Sequence, residues 1–262
     1  TISGSSPPAL WDYLARAVAD PTSALLVSAE RSLAAEFPSD LQARTVLSAA
    51  GSGERTFTSL GRAAGGIHQT SLNRSLKLLA EKRIIAVDEP LSPRPSKDRR
   101  YRVADPYLRF WLAFLGPHLD EIERGRGDRV LARIRASWTS WRGRAIEPVV
   151  REALERLAPP VARTEDDVPG VVGGYWTRKN DPEIDLVVAD RAPVARRILA
   201  LGSIKWLEQA PFDAHDLGRL QHDRARMPGA EPDTPLIAVS RSGCTASGVR
   251  SFSPADLLAA YP

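Results

Sequence analysis

The chain has 262 residues, 43% hydrophobic and 26% charged, a composition that excludes wholesale disorder and is long enough for two folded domains. Lys and Arg number 36 against 32 Asp and Glu, so the formal charge of +4 is a mild bias toward an anionic partner. A lone cysteine, Cys244, excludes an internal disulfide, and no apolar run reaches the length of a membrane span or signal peptide. The expectation is a soluble, cytoplasmic protein with no membrane partner. A start at Thr1 rather than Met suggests a piece or processed form of a longer chain.

Leu10 to Ala19 and Thr22 to Phe37 read as two short lead-in helices separated by Asp20-Pro21. Ser39 is placed to cap a helix through Ala50, Gly51-Ser-Gly breaks it, and Thr58 to Ala64 makes the next, ended by Gly65-Gly66. A third helix, Thr70 to Lys82, carries Leu72, Leu76 and Leu79 on one face. Ile84 to Val87 and Tyr101 to Val103 then flank a Pro-rich, basic loop, Glu89 to Arg100. Three helices followed by two short strands around a charged loop predict a winged helix-turn-helix.

Asp105-Pro106 opens an aromatic face, Tyr107, Phe110, Trp111 and Phe114 at helical spacing, expected to pack as the seam between two domains. Arg124 to Arg151 is helical in both halves and holds eight arginines, a solvated face or a phosphate-tracking surface. From Val171 the pattern changes to strands: Val171 to Trp176, Ile184 to Ala189, Arg197 to Leu201 running on toward Trp206, and Leu236 to Ser240. A helix over His215 to Arg226 precedes the last. This order predicts an α/β or α+β core with a central mixed sheet.

Two neighbouring strands carry an acid, Asp185, and a lysine, Lys205, with Ser203 two residues before the lysine. In the third helix Gln69, Thr70, Asn73, Arg74 and Lys77, with His68 before them, lie away from the leucine face and suit contacts in a major groove. In the basic loop Arg94, Lys97, Arg99 and Arg100 stand against Asp98, a local excess suited to a phosphate backbone. The histidines lack partners at zinc spacing, and no Gly-x-Ser-x-Gly occurs.

Tyr101-Arg-Val-Ala-Asp-Pro-Tyr-Leu-Arg-Phe-Trp, Gly143-Arg-Ala-Ile-Glu, Glu183-Ile-Asp-Leu-Val and Gly202-Ser-Ile-Lys-Trp resemble the domain that follows the winged helix in archaeal-type ATPases of the AAA+/STAND group. That domain is similar to PD-(D/E)XK nucleases. The resemblance divides the chain into a lead-in (1–38) like the end of an ATPase module, a winged helix (39–104) and a restriction-endonuclease-like α/β domain (105–262). It implies Mg²⁺ held by strand acids and a helix glutamate, with a lysine beside the attacking water. By position Asp185 is the first metal ligand, Lys205 the lysine and Glu147 the helix carboxylate. Ser203 stands where the second acid belongs, so the site reads as degenerate unless Glu183, on the same strand face as Asp185, turns into it. Without metal, Asp185 and Lys205 read as a structural ion pair.

No Gly-x4-Gly-Lys-Ser/Thr occurs, so the ATPase core lies outside this chain. These readings converge on a DNA-binding C-terminal region of such an ATPase with a lapsed nuclease site. The alternatives are an active Mg²⁺-dependent deoxyribonuclease and a regulatory or protein-interaction module, with an oligomeric state the sequence leaves open.

Overall fold

The computed structural model describes residues 8–37, 41–53, 55–163 and 167–261; the expected cap Ser39 lies outside them. They divide into two compact units. One holds the residues up to Asp88 together with Arg99–Trp138, and the other holds Glu89–Asp98 together with the chain from Thr139 onward. The units cut across the segments expected from sequence: 89–98 joins the C-terminal unit and 105–138 the N-terminal one.

The N-terminal unit starts with α1 (Pro8–Ala19) and α2 (Ala24–Glu36). It continues with α3 (Leu41–Gly51), α4 (Phe57–Ala63) and α5 (Gln69–Glu81). Thr56 caps α4 through a reciprocal box with Ser59, which satisfies two amide groups that the first turn leaves open. In α5, Leu72, Leu76 and Leu79 are buried, each burial worth roughly 1.5–3 kcal/mol. Arg83 ends the helix at φ 56°, with Ile84 N–H on Leu79 O and Arg83 N–H on Ala80 O, so helix carbonyls find partners as the chain reverses.

The reversal feeds a hairpin of β1 (Ile85–Asp88) and β2 (Arg100–Val103), antiparallel with Ile85 opposite Val103. Tyr101 N–H donates to Arg55 O, tying the hairpin to the segment between α3 and α4.

Asp105 caps the short α6 (Pro106–Phe110), and a π-helical turn over Trp111–Leu115 follows where a straight helix was expected. The turn ends at Gly116, which lies so close to the Trp111 ring that a Cβ there would sit 2.4 Å from it. The aromatic face expected as an interdomain seam is bonded within the N-terminal unit. Tyr107 OH donates to Leu25 O and accepts from Ala29 N–H, and Trp111 Nε1 donates to Leu26 O. After α7 (Leu119–Glu123), one continuous helix, α8 (Gly127–Leu157), contributes to both units.

The C-terminal unit is built on a five-stranded mixed sheet of β3 (Val171–Trp176), β4 (Glu183–Ala189), β5 (Ile198–Lys205), β6 (Leu236–Ser240) and β7 (Arg250–Phe252), in that order. The first three strands are antiparallel, and the last two run parallel to β5. α9 (Ala214–Arg226) connects β5 to β6, and α10 (Pro254–Leu258) follows β7.

Alternation along the strands separates two cores. On one face Val150 and Leu154 of α8 and Leu257 of α10 pack on Leu186, Val188, Ala200, Ile237 and Val239. On the other, Leu220 of α9 and Met227 pack on Ile184, Val187, Leu201 and Ala238.

The loop expected as a wing is part of this second core. Leu91 is buried among those residues, its N–H donates to Gly174 O, and Gly173 lets it approach, since a Cβ there would lie 3.0 Å from the Leu91 Cβ. A leucine is the reason the loop does not stand free: leaving it in water forgoes roughly 2 kcal/mol of burial. Among the described residues no helix is long and apolar enough to cross a membrane.

Candidate functional site

Strand register brings the expected strand residues together. Leu186 faces Gly202 across β4 and β5, which sets Asp185 beside Ser203. The Ser203 hydroxyl donates to Asp185 Oδ2 at 3.0 Å, and the Ile204 N–H donates to the same oxygen at 2.9 Å. Ser203 and Lys205 share the strand face of Leu201, which belongs to the α9 core.

Lys205 does not form the expected ion pair with Asp185. Its Nζ is held by Asp216 Oδ2, in the first turn of α9. The same Asp216 carboxylate accepts from Asp213 N–H as half of a capping box, while Asp213 caps the amides of His215 and Asp216. A helix N-terminus favours a carboxylate, so local structure fixes Asp216 where the lysine finds it.

Asp185 keeps some exposed surface, yet the protein packed around it pushes its carboxyl above the ordinary range. Desolvation is the main cause, Glu183 adds to it, and the Ile204 amide, the Ser203 hydroxyl and the Arg151 guanidinium oppose it. Arg151 spends its Nε–H on the backbone oxygen of Asp185, at 3.0 Å. Gly174 leaves the room: a Cβ there would sit 2.7 Å from an Arg151 nitrogen.

Asp185, Ser203 and Asp216 open on a cleft of about 910 Å³ lined also by Glu183, Arg219 and His222, among others; Lys205 and Arg151 are not in its lining. Glu147 is not in its lining. It lies on α8 with its carboxylate 3.3 Å from Arg151. Among the described residues no three His, Cys, Asp or Glu side chains group so as to hold a metal ion. Of the set expected to hold Mg²⁺, Asp185 and Glu183 line the cleft and Glu147 does not.

The groups expected to meet DNA fall in both units. Gln69, Thr70, Asn73, Arg74 and Lys77 are all exposed on α5, with His68 as its N-cap. Arg99 is exposed and Arg100 half-buried at the start of β2, while exposed Arg94 and Lys97 belong to the C-terminal unit. Several of the eight arginines from 124 to 151 do internal work. Arg133 grips Glu121 through two bonds of 2.8 and 3.0 Å, and Arg135 lies over the Trp11 ring. Arg142 bonds Glu208, and Arg151 is engaged as above.

Sequence reading missed Asp216 and Arg151. Asp213-Ala-His-Asp216 is a capping-box pattern that marks a helix start, but nothing local ties it to Lys205.

The chain is similar to a family of unknown function. That family, described as archaeal and bacterial proteins of unknown function (DUF234), matches residues 111–217, a stretch that takes in Glu147, Asp185, Ser203, Lys205 and Asp216. The chain is also 24% identical over 225 residues to "Uncharacterized protein MJECL04" of Methanocaldococcus jannaschii, covering 84% of this chain and 48% of that protein. It thus spans about half the length of the curated relative it matches. No solved structure matches it at a significant level.

Proposed function

We propose that this chain is a DNA-binding region in which a winged helix precedes a nuclease-like unit that has exchanged its metal site for a self-satisfied polar network. The observation that carries the reading is the hydrogen bond from Ser203 to Asp185, at the strand position where the resemblance calls for a second acid. A hydroxyl there gives Asp185 a donor, where a carboxylate gives a metal a second charge. Lys205 is likewise satisfied inside the protein, by Asp216.

The topology supports the nuclease-like reading: a helix, three antiparallel strands, a helix and a strand parallel to the third. α3 to α5 and the β1–β2 hairpin follow the order of a winged helix, and α5 presents Gln69, Asn73, Arg74 and Lys77, residue types suited to phosphate and base-edge contact, on its exposed face. In this reading the nucleotide-binding core belongs to a part of the protein beyond these residues, in keeping with a relative twice as long.

Two assays on the whole chain test it. Binding to a duplex of about three helical turns is expected to weaken steeply between about 50 and 200 mM salt. Plasmid incubated with Mg²⁺ or Mn²⁺ is expected to remain uncut. Absence of binding at the lower salt overturns the DNA reading. Cleavage that disappears in both Asp185→Ala and Lys205→Ala overturns the lapsed site and establishes a working nuclease.

A further inference from the structure

The segment 89–98 meets β3, the terminal strand of the five-stranded sheet, where Leu91 N–H donates to Gly174 O, and passes on to the end of the sheet, where a Cβ on Gly229 would sit 2.5 Å from the Pro93 ring. Near one end Ser92 bridges Val194 and accepts from Ala195 N–H. At the other, Trp176 Nε1 donates to Asp98 O at 2.6 Å. Two serine turns fix the backbone between these anchors: Ser92 Oγ bonds both the amide and the carbonyl of Arg94, and Ser96 Oγ accepts from Asp98 N–H.

This arrangement gathers basic side chains that are far apart in sequence. Arg94 and Arg196 flank the same bridge, with Arg197 next in line. Lys97 adjoins the Asp98 anchor, and Arg178 and Lys179 follow Trp176. All six are exposed. Of the acids near them, Asp181 pairs with Arg226, while Asp190 accepts the Arg196 and Arg197 backbone amides and Asp98 the Ser96 hydroxyl, so six cations stand against the two charges of Asp98 and Asp190.

We infer that this edge of the C-terminal unit is a second nucleic-acid contact, a strip that tracks the phosphate backbone of duplex DNA independently of α5. The inference rests on the DNA-binding reading above and adds a surface to it. Its chemistry is sequence-blind, because exposed Lys and Arg on rigid backbone read charge and spacing, with no base-edge donors or acceptors. The cleft on the α9 face mixes its charges, with Asp181, Glu183, Asp185, Asp216 and Asp223 beside Arg219 and Arg226 in its lining, and lacks the one-sided basic character of the strip.

The test is fluorescence anisotropy of the full chain with a labelled duplex across a salt series. The variant Arg94→Ala/Lys97→Ala/Arg196→Ala is expected to bind about tenfold more weakly or worse, and to lower the slope of log K against log salt by about 2–3. Arg178→Ala/Lys179→Ala, at the far end of the strip, is expected to lower it by about 2, and it answers the question if the triple variant does not fold. The charge-matched control is Arg124→Ala/Arg126→Ala/Arg129→Ala, exposed in the N-terminal unit, and its slope is expected to stay at wild type. Strip variants that keep the wild-type slope while Asn73→Ala/Arg74→Ala/Lys77→Ala loses binding overturn the strip and leave α5 standing. An equal drop in the control also overturns it, since any lost charge then suffices. A parent chain that binds no duplex at about 50 mM salt overturns the strip and the DNA reading together.

Discussion

Two carboxylates of the C-terminal unit, Asp185 and Glu208, are each held by hydrogen bonds, and their acidities move in opposite directions. Glu208 Oε1 accepts from Arg142 at 2.9 Å and from Arg241 at 2.6 Å, and these guanidiniums hold its carboxyl below the ordinary range. Asp185 accepts from a hydroxyl and an amide, and the nearby guanidinium of Arg151 bonds its backbone oxygen instead of its carboxylate. Burial then dominates and raises its pKa. Neutral donors satisfy a carboxylate's geometry without compensating its charge, so hydrogen bonding alone does not make a buried acid comfortable. Glu208 is built as a structural rivet, and Asp185 as a group left poised.

The largest expected effect comes from removing the rivet. Glu208→Gln leaves Arg142 and Arg241, which are mostly shielded from solvent, facing each other without the shared anion. Breaking a fully buried pair costs about 3–5 kcal/mol, and the one-third exposure of Glu208 reduces this to about 2–3 kcal/mol. The pH dependence has a definite sign. A depressed folded-state value contributes stability above the ordinary carboxylate range, which is lost as pH falls through that folded value. Urea unfolding is therefore expected to separate variant and wild type widely at pH 7 and to bring them together in acid. A gap that stays constant with pH contradicts the charge argument.

A middle-sized effect follows from supplying the missing acid. Ser203→Asp replaces a donor to Asp185 with a second carboxylate, so two like charges share a desolvated corner at a cost of about 1–2 kcal/mol. Millimolar Mn²⁺ is expected to restore the melting temperature of this variant while leaving the wild type unmoved. Equal metal responses in the two proteins defeat the idea that position 203 decides metal binding.

Much of the C-terminal unit was legible because its information is local. The run Glu183–Ala189 is apolar enough to be a central strand, and the Ser203-x-Lys205 spacing alone puts both side chains on one face. What escaped was relational. β7 is only three residues, Arg250-Ser-Phe, between turn signals, and it gains strand character by lying parallel to β6. The acid that Lys205 meets, Asp216, is placed by where α9 starts. The basic loop reads as a wing by composition, and its single leucine, Leu91, was the one sign that it is anchored in a core. Resemblance found the positions of Asp185 and Lys205, and tertiary packing decided their partners.

The smallest effect, and the sharpest on the comparison, is that of Asp185→Asn. Asparagine keeps an oxygen that accepts from both the Ser203 hydroxyl and the Ile204 amide, so the geometry survives while the buried charge goes. A raised folded-state pKa means that the native protein binds the proton more tightly than the unfolded chain does. Stability from this group is thus fully present in acid and falls as pH rises from the ordinary carboxylate range to the folded value, the reverse of Glu208. The variant is expected to match the wild type near pH 4, and at pH 8 to be more stable by up to about 1 kcal/mol, since removing an uncompensated buried charge is neutral or stabilising. Thermal melts at the two pH values decide it. An Asp185→Asn protein clearly less stable than wild type at pH 8 means the carboxylate is compensated after all, by Arg151 or by a bound cation, and the contrast between the two acids fails.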